Sequence, residues 1–299
     1  MLGYWCNLVS LFKQQGLALI QVLLLSAIIS VIAIQITKTA RTNVSVASDF
    51  KDRIKAELLM TSAENKILAE LFRLDAHQIH GSEINGVTWR LGKAFKLENG
   101  TEVKIQPLSG RLSLLTSPQS YLKKLLVASG ASQEEAASLY SAIMDWIDAD
   151  SSVRQQGAEA NSYEGIIVPR NGPLQHISEL RSIKGMTQDI YVGVSENVTI
   201  YATSFFNPVF ATLELNQVLF GDDVANAIES DKLTGNGFTE SDWQLLVGGQ
   251  NFNYIDFNPG TLHEVNVKVE VGDVTLSRTM KVKSQNQSSI TPFVVLSRQ

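Results

Sequence analysis

From Leu17 to Ile36 the chain runs 20 residues without a charge, most of them Leu, Ile, Val or Ala. As a helix rising about 1.5 Å per residue, this stretch is roughly 30 Å long, the thickness of a bilayer's hydrocarbon core. The apolar core of a secretory signal is usually shorter, and no A-x-A-like site follows this one. The left edge is unusual: Lys13, two glutamines and Gly16 lead straight into the apolar run. A cut after Gly16 releases a short polar leader and leaves Leu17 and the apolar helix at the new N-terminus, whereas an ordinary signal peptide is discarded with its apolar part. The simpler reading is a plain membrane anchor preceded by a chance glycine.

The rest of the 299-residue chain is long enough for one large domain or two small ones, and its ordinary 44% hydrophobic content is enough for a packed core. The net charge is −5 with no block of like charge, so the basic stripe expected of a nucleic-acid binder is missing. The single cysteine, Cys6, falls in the leader, which leaves no disulfide in a chain cut at Gly16. Lys38, Arg41 and Lys51 follow the apolar run, and the positive-inside rule weakly places the large domain in the cytoplasm.

Helical character continues past the membrane. Asp49 to Arg73 lacks Pro and Gly, and Ile54, Leu58, Ile67, Leu68, Leu71 and Phe72 recur at three- and four-residue steps, so one helix is expected from Leu17 to about Leu74. Alternating segments over 86–91, 95–97, 101–105 and 111–115, with an Asn99-Gly100 turn, predict an antiparallel meander. The period then becomes helical: 117–126, a helix opened by the Ser132/Glu135 capping box and running to Trp146, a short helix over 177–183, and further helices over 212–219, 224–229 and 240–246. Beyond Gly248, alternation over 263–271, 274–283 and 293–296 returns to strands. Two strand groups bracketing helices predict an α+β domain with a mostly helical insertion over 117–247.

The run Asp145-Trp146-Ile147-Asp148-Ala149-Asp150, continued to Glu159, is the strongest candidate for chemistry. With Asp148 as position 1, Asp150 is 3, Ser152 is 5 and Glu159 is 12, the oxygen spacing of a calcium loop, although Val153 stands where that loop wants glycine. Asp145, on the last helical turn, is a further candidate ligand or a local cap. The bland alternative is a solvated acidic loop, but carboxylates at a helix C-terminus oppose the dipole unless a cation offsets them. Ile177 to Met186 looks like half of a helix-hairpin-helix; without flanking basic residues a compact structural turn fits it better than a DNA contact. His77-x-x-His80 reads as a surface pair. No phosphate loop, G-x-S-x-G or cysteine nucleophile supports an enzyme.

The Gly16 edge resembles a type IV pilin-like signal cut by a prepilin peptidase, with Gln21 where such chains usually carry Glu. Together with the apolar helix, Ser109 to Leu114, the acidic loop with Gly157-Ala158-Glu159 and Tyr163, Asn171-Gly172-Pro173-Leu174, Ser178-Glu179-Leu180-Arg181 and Lys184-Gly185-Met186-Thr187, it resembles the minor pseudopilin K family of type II secretion systems. Asn207 to Ala211, Ser113 and Leu115 depart from that family's pattern. The resemblance covers nearly the whole chain. It implies a leader over 1–16, a membrane helix over 17–37, and a pilin-like domain over 38–116 and 248–299, its long helix packed on an antiparallel sheet. It also implies calcium held by Asp148, Asp150 and Glu159, with Asp145 as a further ligand, and processing at Gly16/Leu17 with methylation. The implied role is a non-enzymatic tip subunit of a periplasmic pseudopilus, held in the inner membrane, with minor pseudopilins I and J, and H as a further candidate, as partners. A second reading is a membrane-anchored binding module that uses the hairpin-like turn on DNA or another ligand.

Overall fold

The computed structural model describes residues 15–73, 80–84, 86–165, 168–234, 237–249, 252–284 and 293–299. Lys13, Cys6 and His77 lie outside the described residues. The described chain falls into two compact units: one joins α1 up to Leu58 to Glu270–Thr275, and the other comprises Leu59–Val269 and Leu276–Gln299.

Helix α1 spans Gln15–Arg73. Every residue from Leu17 to Phe50 is exposed. Hydroxyls inside the apolar stretch are answered within the helix: Ser26 Oγ donates to the Leu23 carbonyl, Ser30 Oγ to Ser26 and Thr37 Oγ1 to Ala33. In lipid, where water cannot serve them, such bonds remove the cost of those groups. In the second unit α1 turns one-sided. Met60, Ala63, Glu64, Ile67, Leu68 and Leu71 form a buried stripe at helical spacing. Glu64 anchors the stripe to the sheet through Arg278 and Arg298.

The sheet has five antiparallel strands in the order β3 (Ala94–Lys96), β4 (Glu102–Pro107), β7 (Leu262–Val271), β8 (Val274–Ser284) and β9 (Phe293–Arg298). Val103 pairs with Val267 and Ile105 with Val265, and all four are buried, so the alternating pattern sets the register. A two-stranded hairpin, β1 (His80–Ile84) with β2 (Val87–Arg90), precedes it. The Asn99-Gly100 turn forms as expected, with Gly100 at φ +81° and the Thr101 N–H donating to the Asn99 side chain.

Between β4 and β7 lies the helical lobe: α2 (Gln119–Ala128), α3 (Gln133–Ile147), α4 (Gln188–Ser195), α5 (Leu213–Phe220), α6 (Asp222–Thr234) and α7 (Glu240–Leu246). Its main core joins Leu122, Leu126, Leu139, Ile143, Leu180 and Leu215 with many neighbours, and a smaller aromatic cluster surrounds Trp243. Three expectations need correction. The strand over 86–91 does not join the meander: β2 pairs with β1 in a separate hairpin, and the larger sheet starts at β3. The stretch 111–115 does not continue the meander. Its β5 (Leu112–Ser113) pairs in parallel with β6 (Val198–Thr199), because the chain has already turned into the lobe. The expected helix over 177–183 is a 3-10 turn, Ile177–Ser182, opened by a His176 cap.

The neck between lobe and sheet is tied closely. The Asn207 N–H donates to the Ser109 carbonyl, Ser109 Oγ to the Pro259 carbonyl, and Asn207 Nδ2 to the Asn258 carbonyl. Gly110 sits where a Cβ would lie 2.3 Å from the Phe210 carbonyl oxygen, so only glycine allows that approach. Arg111 makes a bidentate pair with Glu264 of β7 at 2.9 and 3.0 Å.

Candidate functional site

The acidic loop begins where α3 ends. The Ser132 hydroxyl accepts the Glu135 N–H while the Glu135 carboxylate accepts the Ser132 N–H, which starts the helix. Those bonds hold the Glu135 carboxyl below the usual carboxylate range. At the far end Asp148 leaves helical conformation at φ −80°, ψ 171°. Trp146 is buried in edge-to-face contact with Tyr163, centroids 5.4 Å apart, and the Tyr163 hydroxyl accepts the Lys184 N–H. The loop between is therefore fixed at both ends.

Asp145 is fully buried, and its carboxylate accepts the backbone N–H of Arg154, the backbone N–H of Ala158 at 2.8 Å, and the Arg154 guanidinium at 2.8 Å. Gly157 makes room for it: a Cβ there would lie 2.0 Å from Asp145 Oδ2. Asp148 Oδ2 accepts the same guanidinium nitrogen, and its Oδ1 is buried without a partner. Glu159 is 6% exposed, and neither carboxylate oxygen has a hydrogen-bond partner. Burial raises the Glu159 carboxyl above its ordinary range, and the charges of Asp145 and Asp148 add to that. Asp150 is exposed. It accepts the Ser152 N–H at 2.8 Å, which holds its carboxyl low, while Asn171 Nδ2 donates to the Asp150 carbonyl. Gln156 and Asn171 adopt left-handed φ, +64° and +51°, the two non-glycine residues to do so among the described residues.

The structure thus joins Asp145 and Asp148 through Arg154, sets Glu159 near enough for their charges to act on it, and leaves Asp150 on the rim. Among the described residues, no three acidic, histidine or cysteine side chains stand grouped as a ready metal site. The donor chemistry still suits a hard cation. Three buried carboxylate oxygens have no partner, and an unpaired buried charge is costly. Arg154 is the member that loop spacing missed; a basic residue inside an acidic ligand run was the available signal.

The hairpin-like segment serves packing. Leu180 and Ile183 are buried, Gly185 supplies the turn at φ +90°, and the Arg181 guanidinium lies 4.2 Å from the Tyr191 ring centroid. His80 lies in β1. Gly16 lies within the first turns of α1, and Leu17 is exposed. Further along α1, Val46, Phe50, Ile54 and Leu58 repeat every four residues and are 45–67% exposed, an apolar stripe on one helix face.

A long N-terminal helix bearing one membrane-length apolar stretch, an antiparallel sheet and a helical lobe set between its strands give the chain a pilin-like α+β fold. The family model for type II secretion system protein K matches residues 108–203, most of the lobe's first half. Type II secretion system protein K of Pectobacterium carotovorum subsp. carotovorum is 27% identical over 199 residues, which span 60% of each chain. The Escherichia coli K12 relative described as the same protein K is 25% identical over 242 residues, 70% of this chain and 73% of its own. A chain in the crystal structure of the GspK-GspI-GspJ complex from enterotoxigenic E. coli shares the fold with TM-score 0.59, at 16% identity over 85% of this chain and 98% of that one. These matches make the chain similar to the type II secretion system protein K family.

Proposed function

We propose that this chain is the tip subunit of a periplasmic pseudopilus, nucleates the filament with minor pseudopilins I and J, and supports export of folded proteins without catalysing a reaction. The observation that carries this is α1. Its membrane-length segment is followed by the exposed stripe Val46, Phe50, Ile54 and Leu58, a face suited to a partner helix. The complex named for GspK, GspI and GspJ supports the choice of partners. The helical lobe set between β4 and β7 adds bulk that disfavours stacking another subunit above it. Co-purification of the full chain in detergent with pseudopilins I and J tests the reading. Phe50→Glu with Ile54→Glu should lose both partners, and unchanged co-purification would remove the stripe from the interface.

The inner membrane is the expected location, with the sheet and lobe in the periplasm. Prepilin peptidase should cut after Gly16; sequencing the mature protein should find an N-methylated Leu17 first, and an intact Met1 beside active peptidase contradicts it. Gln21 fits a tip position, since a neutral side chain forgoes the pairing a Glu makes with a neighbour's N-terminus. Normal tip assembly by Gln21→Glu would show that the position is merely tolerated.

The acidic loop reads as a structural calcium site held by Asp145, Asp148 and Glu159, with Asp150 joining from the rim. Bound calcium would supply charge to oxygens that now lack a partner. Calorimetry should show binding to the wild type and its loss in Asp148→Ala/Asp150→Ala; unchanged affinity moves the site elsewhere.

A further inference from the structure

The acidic loop already contains a cation of its own chain. One nitrogen of the Arg154 guanidinium serves Asp145 Oδ1 and Asp148 Oδ2 together, while Glu159 is left with two buried, unpartnered oxygens. Arg154 is therefore an incomplete answer: a single planar charge set against four carboxylates, reaching two. A divalent ion taking six to eight oxygens can gather more of them, but it needs the oxygens that Arg154 holds. Two cations cannot share those oxygens without strong repulsion. The Arg154 side chain is 43% exposed, so it has a path into water, while its backbone N–H on Asp145 and the Gly157 N–H on its carbonyl keep the loop's turn in place.

We propose that Arg154 is a tethered competitor for the metal: it closes the loop when calcium is absent and must swing out when calcium enters. This rests on reading the loop as a calcium site. Calcium entry is then an exchange of cations. The arginine lowers calcium affinity by about tenfold or more, the scale of losing charge-assisted hydrogen bonds. It also keeps the metal-free lobe ordered, so the loop does not unfold when calcium falls.

The test uses the full chain in detergent, calorimetry with calcium chloride, and melting in a chelator. Arg154→Gln should bind calcium at least about tenfold more tightly than wild type and melt at a lower temperature without metal. Equal or weaker calcium binding by Arg154→Gln overturns the competitor role while the calcium site stands. Failure of both proteins to bind calcium removes the site and the competitor role with it. Should Arg154→Gln fail to fold by circular dichroism, Arg154→Lys decides: a lysine cannot reproduce the shared guanidinium geometry, so affinity should rise by a smaller factor, and no rise overturns the proposal.

Discussion

Glu64 and Glu159 are both buried, 1% and 6% exposed, and the molecule treats them oppositely. Glu64, on α1, receives Arg278 of β8 at 3.0 Å and Arg298 of β9 at 2.8 Å. Two strands far along the chain thus converge on one carboxylate, which fixes the helix on the sheet. Glu159, in the loop after α3, receives no donor on either oxygen. Burial is the same and pairing is not, so burial alone does not mark a functional carboxylate. A buried carboxylate without a partner is the better marker, because its charge has to be offset by a proton or by a cation from outside.

Four measurements can break or sharpen that contrast. Glu64→Ala should have the largest effect. It strips two arginines of their shared partner and should lower the free energy of unfolding in urea by about 4 kcal/mol; the half-exposed Arg298 keeps the loss from being larger. A loss below about 1 kcal/mol would reduce the pair to decoration.

His263 shows a third way to hold a buried titratable group, uncharged. Burial pushes its pKa down to about 4 from 6.5. The unfolded chain takes up that proton near pH 6.5 and the folded chain only near 4. Stability is therefore full above pH 6.5 and falls as pH drops toward 4, by at most about 3 kcal/mol. Comparing the pH dependence of urea unfolding in wild type and His263→Gln isolates this share, and identical slopes refute it.

Gly157→Ala should cost about 2 kcal/mol, since its methyl needs space held by the Asp145 carboxylate, and thermal denaturation reads the loss. Glu159→Gln should do the reverse. It removes an unpaired buried charge at nearly constant shape and should raise metal-free stability by about 1 kcal/mol. Destabilisation by that change would mean Glu159 already has an answering charge.

Much of the fold is legible in the sequence because local rules agree with tertiary need. The uncharged run, the Ser132/Glu135 capping box, the Asn99-Gly100 turn and the alternation of β7 and β8 each predict their element within a few residues. Strand β1, helix α4 and the β5–β6 pair were not read. β5 and β6 contribute two residues each, too few to show a period, and they exist because the lobe brings Leu112 beside Val198. At the acidic loop, spacing located the carboxylates but not their state. It placed Asp150 among the ligands, where the structure puts it on the rim, and it passed over Arg154, whose role depends on a side chain folding back nine residues to Asp145. The pairing of Glu64 was equally hidden, since its partners lie 214 and 234 residues away.

The neck at Ser109, Asn207 and Asn258 has a consequence for how such a chain changes over time. The strands flanking the lobe pair directly with each other, and the lobe leaves and returns at a point fastened by a few backbone and side-chain bonds, the Arg111–Glu264 pair and one close glycine. What is attached there can lengthen, shorten or be exchanged without disturbing the register of the strands beneath. Grafted onto the β4–β7 junction of another pilin-like sheet, the segment from Gly110 to Phe257 should retain its shape, which makes this lobe a transferable part.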